Sequence, residues 1–231
     1  MTALPPPGEK AVAVRRMFDR IAPRYDRMNR LLTGTMDQRW RRSLVRALRV
    51  GPGDVVLDLA CGTGDLAQIA AARGARVVAL DYATRMLRLA AAREMAGVEL
   101  VRGDALHLPL ADGSVTAVVS GFALRNFTDI SAVLHEAARV LAPRGRLGLL
   151  EVDQPRNRIL RAGHAFYFDR VVPFVGGLLS DRAAYTYLRD STAYLPPEDD
   201  LLAMVRDAGF PRVRKRSHLG GAAQAILAVR A

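Results

Sequence analysis

Short apolar, β-rich runs alternate with helical stretches from Pro52 onward, and this pattern constrains the fold more than any other feature of the chain. "VVLDLA" (55–60), "ARVVAL" (75–80), "VELVRG" (98–103), "VTAVVSG" (115–121) and "RLGLLEV" (146–152) read as strands. Between them, helices are expected from Gly62 to about Arg73, over 83–95, and from about Asp129 to Leu141, where Pro143 and Gly145 supply the stop. Strands interleaved with helices in this way predict a doubly wound, mostly parallel sheet. After "AGF", the runs "VRKRSHL" and "AQAILAVR" read as a closing hairpin, which brings the sheet to seven strands. Residues 9–49 and 153–208 are mostly helical and lack a sheet of their own, the latter broken by Pro173, Gly176, Gly177, Pro196 and Pro197. All 231 residues are therefore expected to form a single domain: a cap (9–49), a ligand-binding core (52–152), a lid (153–208) and the hairpin (209–231).

In such a sheet a ligand binds beyond the carboxyl ends of the strands. "VLDLACGTGDLA" (56–67) stands at one of those ends and satisfies the dinucleotide pattern G-x-G-x-x-A. Asp58 argues against a dinucleotide, because a pyrophosphate needs backbone N–H groups and a helix N-terminus without an anion beside them. S-adenosylmethionine instead carries a cationic sulfur and an ammonium, and Asp58 would attract the amine. Asp81 ends the second strand, where a ribose-binding carboxylate belongs. Asp104 and the Ala105 N–H follow the third strand, placed to read an adenine. Singly, each Asp reads as a cap or turn residue; together, at successive strand ends, they favour a methyl donor. The expected donor site is Asp58, Ala60, Gly62, Thr63, Gly64, Asp81, Tyr82, Met86, Asp104, Ala105, Ser120 and Gly121.

The chain carries a net charge of +11, mostly through arginine. That is either a solvated basic surface or a surface for something anionic, such as nucleic acid or a membrane face. No aromatic–basic ladder of the kind that reads RNA is present, so no nucleic-acid partner is expected. Cys61 is the single cysteine, which excludes an internal disulfide and makes a reducing cytoplasm the default. No His, Cys or carboxylate cluster has metal-ligand spacing, so no metal is expected. The opening "MTALPPPGEK" lacks the apolar segment of a signal peptide, and "VVPFVGGLL" (171–179) is too short to span a bilayer.

"DLACGTGD", "ALD", "GDALHLPLADGS" and "EAARVLAPRGRLGLLE" resemble class I methyltransferases. More specifically, "MFDRIAPRYDRMNRLLTGTMDQRW", "GFALRNFTD" (121–129), "YTYLRDSTAYLP" and "AGFPRVRKRSHLGGAAQAI" resemble the ubiquinone/menaquinone biosynthesis C-methyltransferases, and the likeness covers nearly the whole chain. It departs from the family at Gly121, where serine is usual, and at "APRGR", "EVDQP" and "GGAAQAI". The resemblance implies a Rossmann-like fold, S-adenosylmethionine as cofactor, and methyl transfer to a ring carbon of a reduced, prenylated quinol, demethylmenaquinol in particular. Another aromatic or polyketide acceptor is the alternative. Arg125, Asn126 and Tyr25 are the implied catalytic residues, with His164 and Asp153 as further candidates. Arg125 is expected to stabilise a developing phenolate or to orient a water, unless it is a structural arginine paired with Asp129 or Asp26. The lid "GHAFYFDRVVPFVGGLL" would supply apolar surface for a prenyl chain and for peripheral contact with an anionic membrane; core packing or a homodimer interface is the rival reading.

Overall fold

The structure, a computed structural model, describes residues 7–167, 170, 172, 186, 187 and 189–231. Its sheet comprises β1 (Val55–Leu59), β2 (Arg76–Asp81), β3 (Val98–Arg102), β4 (Val115–Gly121), β5 (Leu141–Val152), β6 (Arg212–His218) and β7 (Ala223–Val229). Their order is β3-β2-β1-β4-β5-β7-β6. The first five are parallel, and β7 runs antiparallel between β5 and β6. The strand order reverses between β1 and β4, which remain parallel, so the crevice beyond their carboxyl ends is where a ligand belongs.

Alternation along β1 assigns its side chains to two layers. Leu57 and Leu59 enter a core cluster with Val118, Leu134, Leu147 and Phe210, closed by α5 (Ile130–Val140) and α7 (Glu198–Asp207). Val56 enters the opposite cluster with Val77, Ala79 and Val119, closed by α2 (Met36–Ala47) and α3 (Asp65–Ala71). Asp58 shares that second face, and it therefore points at the first turn of α3. With both faces covered, these strands read as unbroken apolar runs.

Element bounds depart from the sequence expectation in identifiable ways. Gly62 and Gly64 adopt left-handed backbone (φ 59° and 87°), so α3 starts at Asp65, after the glycine loop rather than within it. α4 spans Thr84–Ala91, shorter than expected, because Glu94 and Gly97 turn left-handed before β3. Asp129 caps α5 by accepting the Ala132 N–H at 2.9 Å. The expected stop at Pro143 and Gly145 comes earlier, because β5 begins at Leu141 and takes "APRGR" into the strand across a register shift opposite Val115/Ala117.

The front of the chain forms α1 (Lys10–Thr33) and α2, joined by Gly34 and Thr35 in left-handed conformation. Following β5, α6 spans Arg158–Phe166. Most of the "VVPFVGGLL" run, including Pro173, Gly176 and Gly177, lies outside the described residues. Among the described residues no helix is long and apolar enough to cross a membrane.

Candidate functional site

The loop leaving β1 folds back on the end of β2. The Gly62 N–H donates to Asp81 Oδ2 and the Ala83 N–H to Asp81 Oδ1, both at 2.7 Å. Burial pushes the Asp81 carboxyl up, against these backbone bonds. Beside it lies a cavity of about 140 Å³ lined by Ala60, Gly62, Asp81, Tyr82, Met86, Asp104, Ala105, Gly121 and Asn126, and roofed by Phe18 and Tyr25 of α1. Asp104 also holds its own turn, accepting the Leu106 N–H at 3.0 Å.

A smaller cavity of about 30 Å³ continues from it, lined by Asp58, Thr63, Gly121, Tyr25 and Arg41 among others. Asp58 is 1 % exposed. Its Oδ2 accepts the Ala67 N–H at 2.8 Å, while Oδ1 has no hydrogen-bond partner among the described residues. Burial raises this carboxyl to about 7. A buried, half-satisfied carboxylate is costly unless a cation arrives, and this observation fits the cationic end of S-adenosylmethionine.

Two residues of the expected donor set line neither cavity. Ser120 donates through Oγ to the Leu59 carbonyl at 2.7 Å, tying β4 to β1. A Cβ on Gly64 would lie 2.6 Å from Met95 Cε, so that glycine serves packing and its left-handed backbone.

A third, larger cavity, about 640 Å³, opens between α1, α2 and α6. Leu31, Leu32, Met36, Trp40, Phe122, Ile159, Leu160 and Val172 supply its apolar wall; Tyr25, Asp37, Arg41, Arg125 and His164 are among its polar groups. Tyr25 lines all three cavities and Phe122 lines the first and third, so these two rings separate the spaces. Burial raises the Tyr25 hydroxyl, which keeps it protonated and able to donate.

Arg125 and Asn126 sit in a short 3-10 turn, Leu124–Asn126, after β4. Arg125 is 3 % exposed and pairs through Nη1 with Oε1 of Glu151, and its Nε donates to Ser191 Oγ at 3.2 Å. Neither expected alternative partner is used: Asp129 caps α5, and Asp26 accepts from Thr63 Oγ1 at 2.6 Å and from Arg93. Asn126 turns the other way, to the donor-side cavity, and its Oδ1 accepts from the Tyr187 hydroxyl at 3.3 Å. Burial pushes that hydroxyl up to about 12. His164 lines the large cavity, its pKa lowered by burial, whereas Asp153 is engaged by Lys215 at 2.8 Å.

Glu151, Arg41 and Tyr187 are absent from the residues expected from sequence. An acidic residue closing the apolar strand "LLEV" is the one signal that pointed to Glu151, since a buried charge there requires a partner. Arg41 lies in the arginine-rich "RWRRS" and is indistinguishable from its exposed neighbours without α2 in place.

The sheet order and the crevice at the ends of β1, β2 and β4 define the class I methyltransferase fold. A SAM-dependent methyltransferase structure from Thermotoga maritima shares it, with a TM-score of 0.69 over 94 % of this chain and 99 % of that one at 20 % identity. Residues 7–230 match the ubiE/COQ5 methyltransferase family, and the chain belongs to it. It is 44 % identical to a demethylmenaquinone methyltransferase of Roseiflexus sp., over 93 % of this chain and 92 % of that protein. It is 42 % identical to the ubiquinone/menaquinone biosynthesis C-methyltransferase UbiE of Syntrophotalea carbinolica, over 90 % of each. The protein is an S-adenosylmethionine-dependent methyltransferase.

Proposed function

We propose that this enzyme methylates a ring carbon of a reduced, prenylated quinol, converting demethylmenaquinol to menaquinol. The observation that carries the reading is the apolar cavity of about 640 Å³ whose polar end holds Arg125 and whose inner wall is Tyr25. That shape suits an amphiphile with one oxygenated ring and a long hydrocarbon tail. The names borne by the relatives from Roseiflexus and Syntrophotalea support the same substrate class.

In this reading Asp58 faces the donor's ammonium, Asp81 the ribose, and Asp104 with the Ala105 N–H the adenine. Ala60, Gly62, Thr63, Tyr82, Met86 and Gly121 complete the walls. S-adenosylmethionine, when bound, supplies an electrophilic methyl group on a cationic sulfur. The chain contributes alignment, with water kept out by α1. That helix is fastened across the site: Lys10 Nζ donates to the Phe127 carbonyl at 2.6 Å, and Thr63 to Asp26. A ring carbon becomes nucleophilic when the neighbouring hydroxyl loses its proton, and in this reading Arg125 stabilises the resulting oxyanion. Glu151 fixes its guanidinium and balances its charge. Tyr25 and Asn126 orient the ring at the junction.

Around the mouth of the cavity, Ile159 is 82 % and Leu160 51 % exposed, flanked by Arg158 and Arg161. We read this rim as the place where a lipid-borne substrate leaves an anionic bilayer. Gly163 lines the cavity, and a Cβ there would meet nothing within 4 Å among the described residues. Gly163→Phe is therefore expected to fill the tail space and raise KM for a long-tailed acceptor about tenfold. Short-tailed analogues and S-adenosylhomocysteine affinity should be unaffected. Steady-state kinetics with acceptor in anionic or neutral vesicles tests both parts. Equal losses for short and long tails would sink the assignment of the cavity, and equal use of the two vesicle types would sink the membrane contact.

A further inference from the structure

Arg41 is a charged residue to which neither the donor nor the acceptor assignment gives a task. It projects from α2 between the two small-molecule spaces, lining both the 30 Å³ cavity and the 640 Å³ cavity. Only 5 % of it is exposed. Its Nε lies 3.5 Å from Asp65 and 3.9 Å from Asp37, within ion-pair reach. Yet neither Nε nor Nη1 has a hydrogen-bond partner among the described residues. Both carboxylates are engaged elsewhere: Asp65 accepts from Arg93 at 2.9 Å, Arg30 at 3.2 Å and Gln38 at 2.7 Å, and Asp37 accepts from Thr33 at 2.9 Å. A guanidinium withdrawn from water with idle donors is costly, and the cost is recovered when an anion meets those donors.

Gly121 supplies an independent observation. Its backbone is not left-handed, so conformation does not demand glycine there. Space is tight there: a Cβ would stand 3.0 Å from Arg41 Nη1 and 3.1 Å from Leu66 Cδ1, so those side-chain ends would have to shift by a few tenths of an ångström. The end of β4 has thus been pared back where the idle nitrogen lies. On the far side the guanidinium faces the Phe122 ring, 5.1 Å from its centroid. The group is held from two sides, and its hydrogen-bonding edge is left toward the cavities.

We infer that Arg41 holds an oxyanion at the seam between the donor and acceptor spaces, and that Gly121 is glycine to leave room for it. The inference rests on the methyl-transfer reading above and adds a residue to it. Two sources present that chemistry: the carboxylate at the amino-acid end of the donor, and the ring oxygen of the acceptor. The 30 Å³ cavity pairs the idle nitrogens of Arg41 with the idle oxygen of Asp58, a combination matched to a carboxylate beside an ammonium.

Calorimetric titration of the full chain tests this with two probes, S-adenosylhomocysteine and 5′-methylthioadenosine, the second lacking both carboxylate and ammonium. Arg41→Met is expected to weaken S-adenosylhomocysteine about 10- to 100-fold, the range for a charged hydrogen bond, and to change 5′-methylthioadenosine less than about twofold. Gly121→Ser should act in the same direction and less strongly, by displacing Nη1. That pattern assigns the donor's carboxylate. Unchanged affinity for both probes, with a similar loss of kcat/KM for reduced demethylmenaquinone and an alkaline shift of its pH profile, assigns the acceptor's oxygen. The inference is overturned if probe affinities and acceptor kinetics all stay at wild-type values. It is equally overturned if both probes weaken together, which marks a purely structural arginine; Arg41→Lys, which keeps the charge, covers the case of a methionine variant that does not fold. Wild-type protein that binds neither probe defeats the methyl-donor reading, and this inference with it.

Discussion

Arg125→Met is expected to reduce methyl transfer about 100- to 1,000-fold, the effect of removing one preorganised group that stabilises developing negative charge. It is also expected to destabilise the protein by about 3–5 kcal/mol, because it strands a fully buried carboxylate on Glu151. These two losses separate in the double variant Arg125→Met/Glu151→Met. With both charges gone and apolar volume in their place, stability should return to within about 1–2 kcal/mol of wild type, while activity stays low. Denaturant unfolding and steady-state kinetics on the three variants measure the two quantities side by side. If the double variant regains activity together with stability, Arg125 is a structural partner of Glu151 and no more. Glu151→Gln gives the converse: the guanidinium stays but loses its charged anchor, so turnover should fall while KM for the acceptor changes little.

Asp58 makes the second large prediction, and it is one of pH. Burial holds its carboxyl at about 7, above the ordinary aspartate value. The ammonium of a bound donor needs it ionised, so below pH 7 binding must expel a proton. Affinity for S-adenosylhomocysteine should therefore rise with pH up to about 7.5 and then level, with a limiting slope of about tenfold per unit for one proton. Stability of the free protein carries the opposite sign. A carboxyl whose pKa is raised by folding contributes stability below its unfolded value of 3.8, and that contribution is lost as pH climbs through about 7. Asp58→Asn should accordingly melt at a higher temperature than wild type at pH 8 and at nearly the same temperature near pH 4. It should bind the probe about 10- to 100-fold more weakly at pH 8 and without pH dependence. A variant that binds as tightly as wild type at pH 8 would remove Asp58 from the donor site.

Much of the architecture was legible because the central parallel strands β1 and β4 are buried on two faces and so appear as nearly continuous apolar runs, "VVLDLA" and "VTAVVSG". Helix ends were read less well. Gly62, Gly64 and Glu94 take left-handed backbone that ends or delays a helix, and β5 absorbs the proline and glycine, Pro143 and Gly145, that looked like a stop. At the site, Asp58, Asp81 and Asp104 could be read from order along the chain, since successive strand ends of this fold converge in space. Arg41 could not, and Glu151 only as an acid closing an apolar strand, because their roles come from burial and from partners supplied by distant elements. For Glu151 that partner is Arg125, 26 residues away. Gly121 carried a signal in the sequence, a missing side chain at a strand end, whose cause shows only once α2 lies across β4.

Incubating the enzyme with S-adenosylmethionine and demethylmenaquinone, and locating the transferred methyl by mass spectrometry and NMR, tests carbon methylation of a prenylated quinol. The expected result is one methyl on a quinone-ring carbon, transfer to the reduced acceptor only, and preference for prenylated over bare naphthoquinol. A methyl found on oxygen or nitrogen, or turnover of small unprenylated phenols in preference to the quinol, would contradict it.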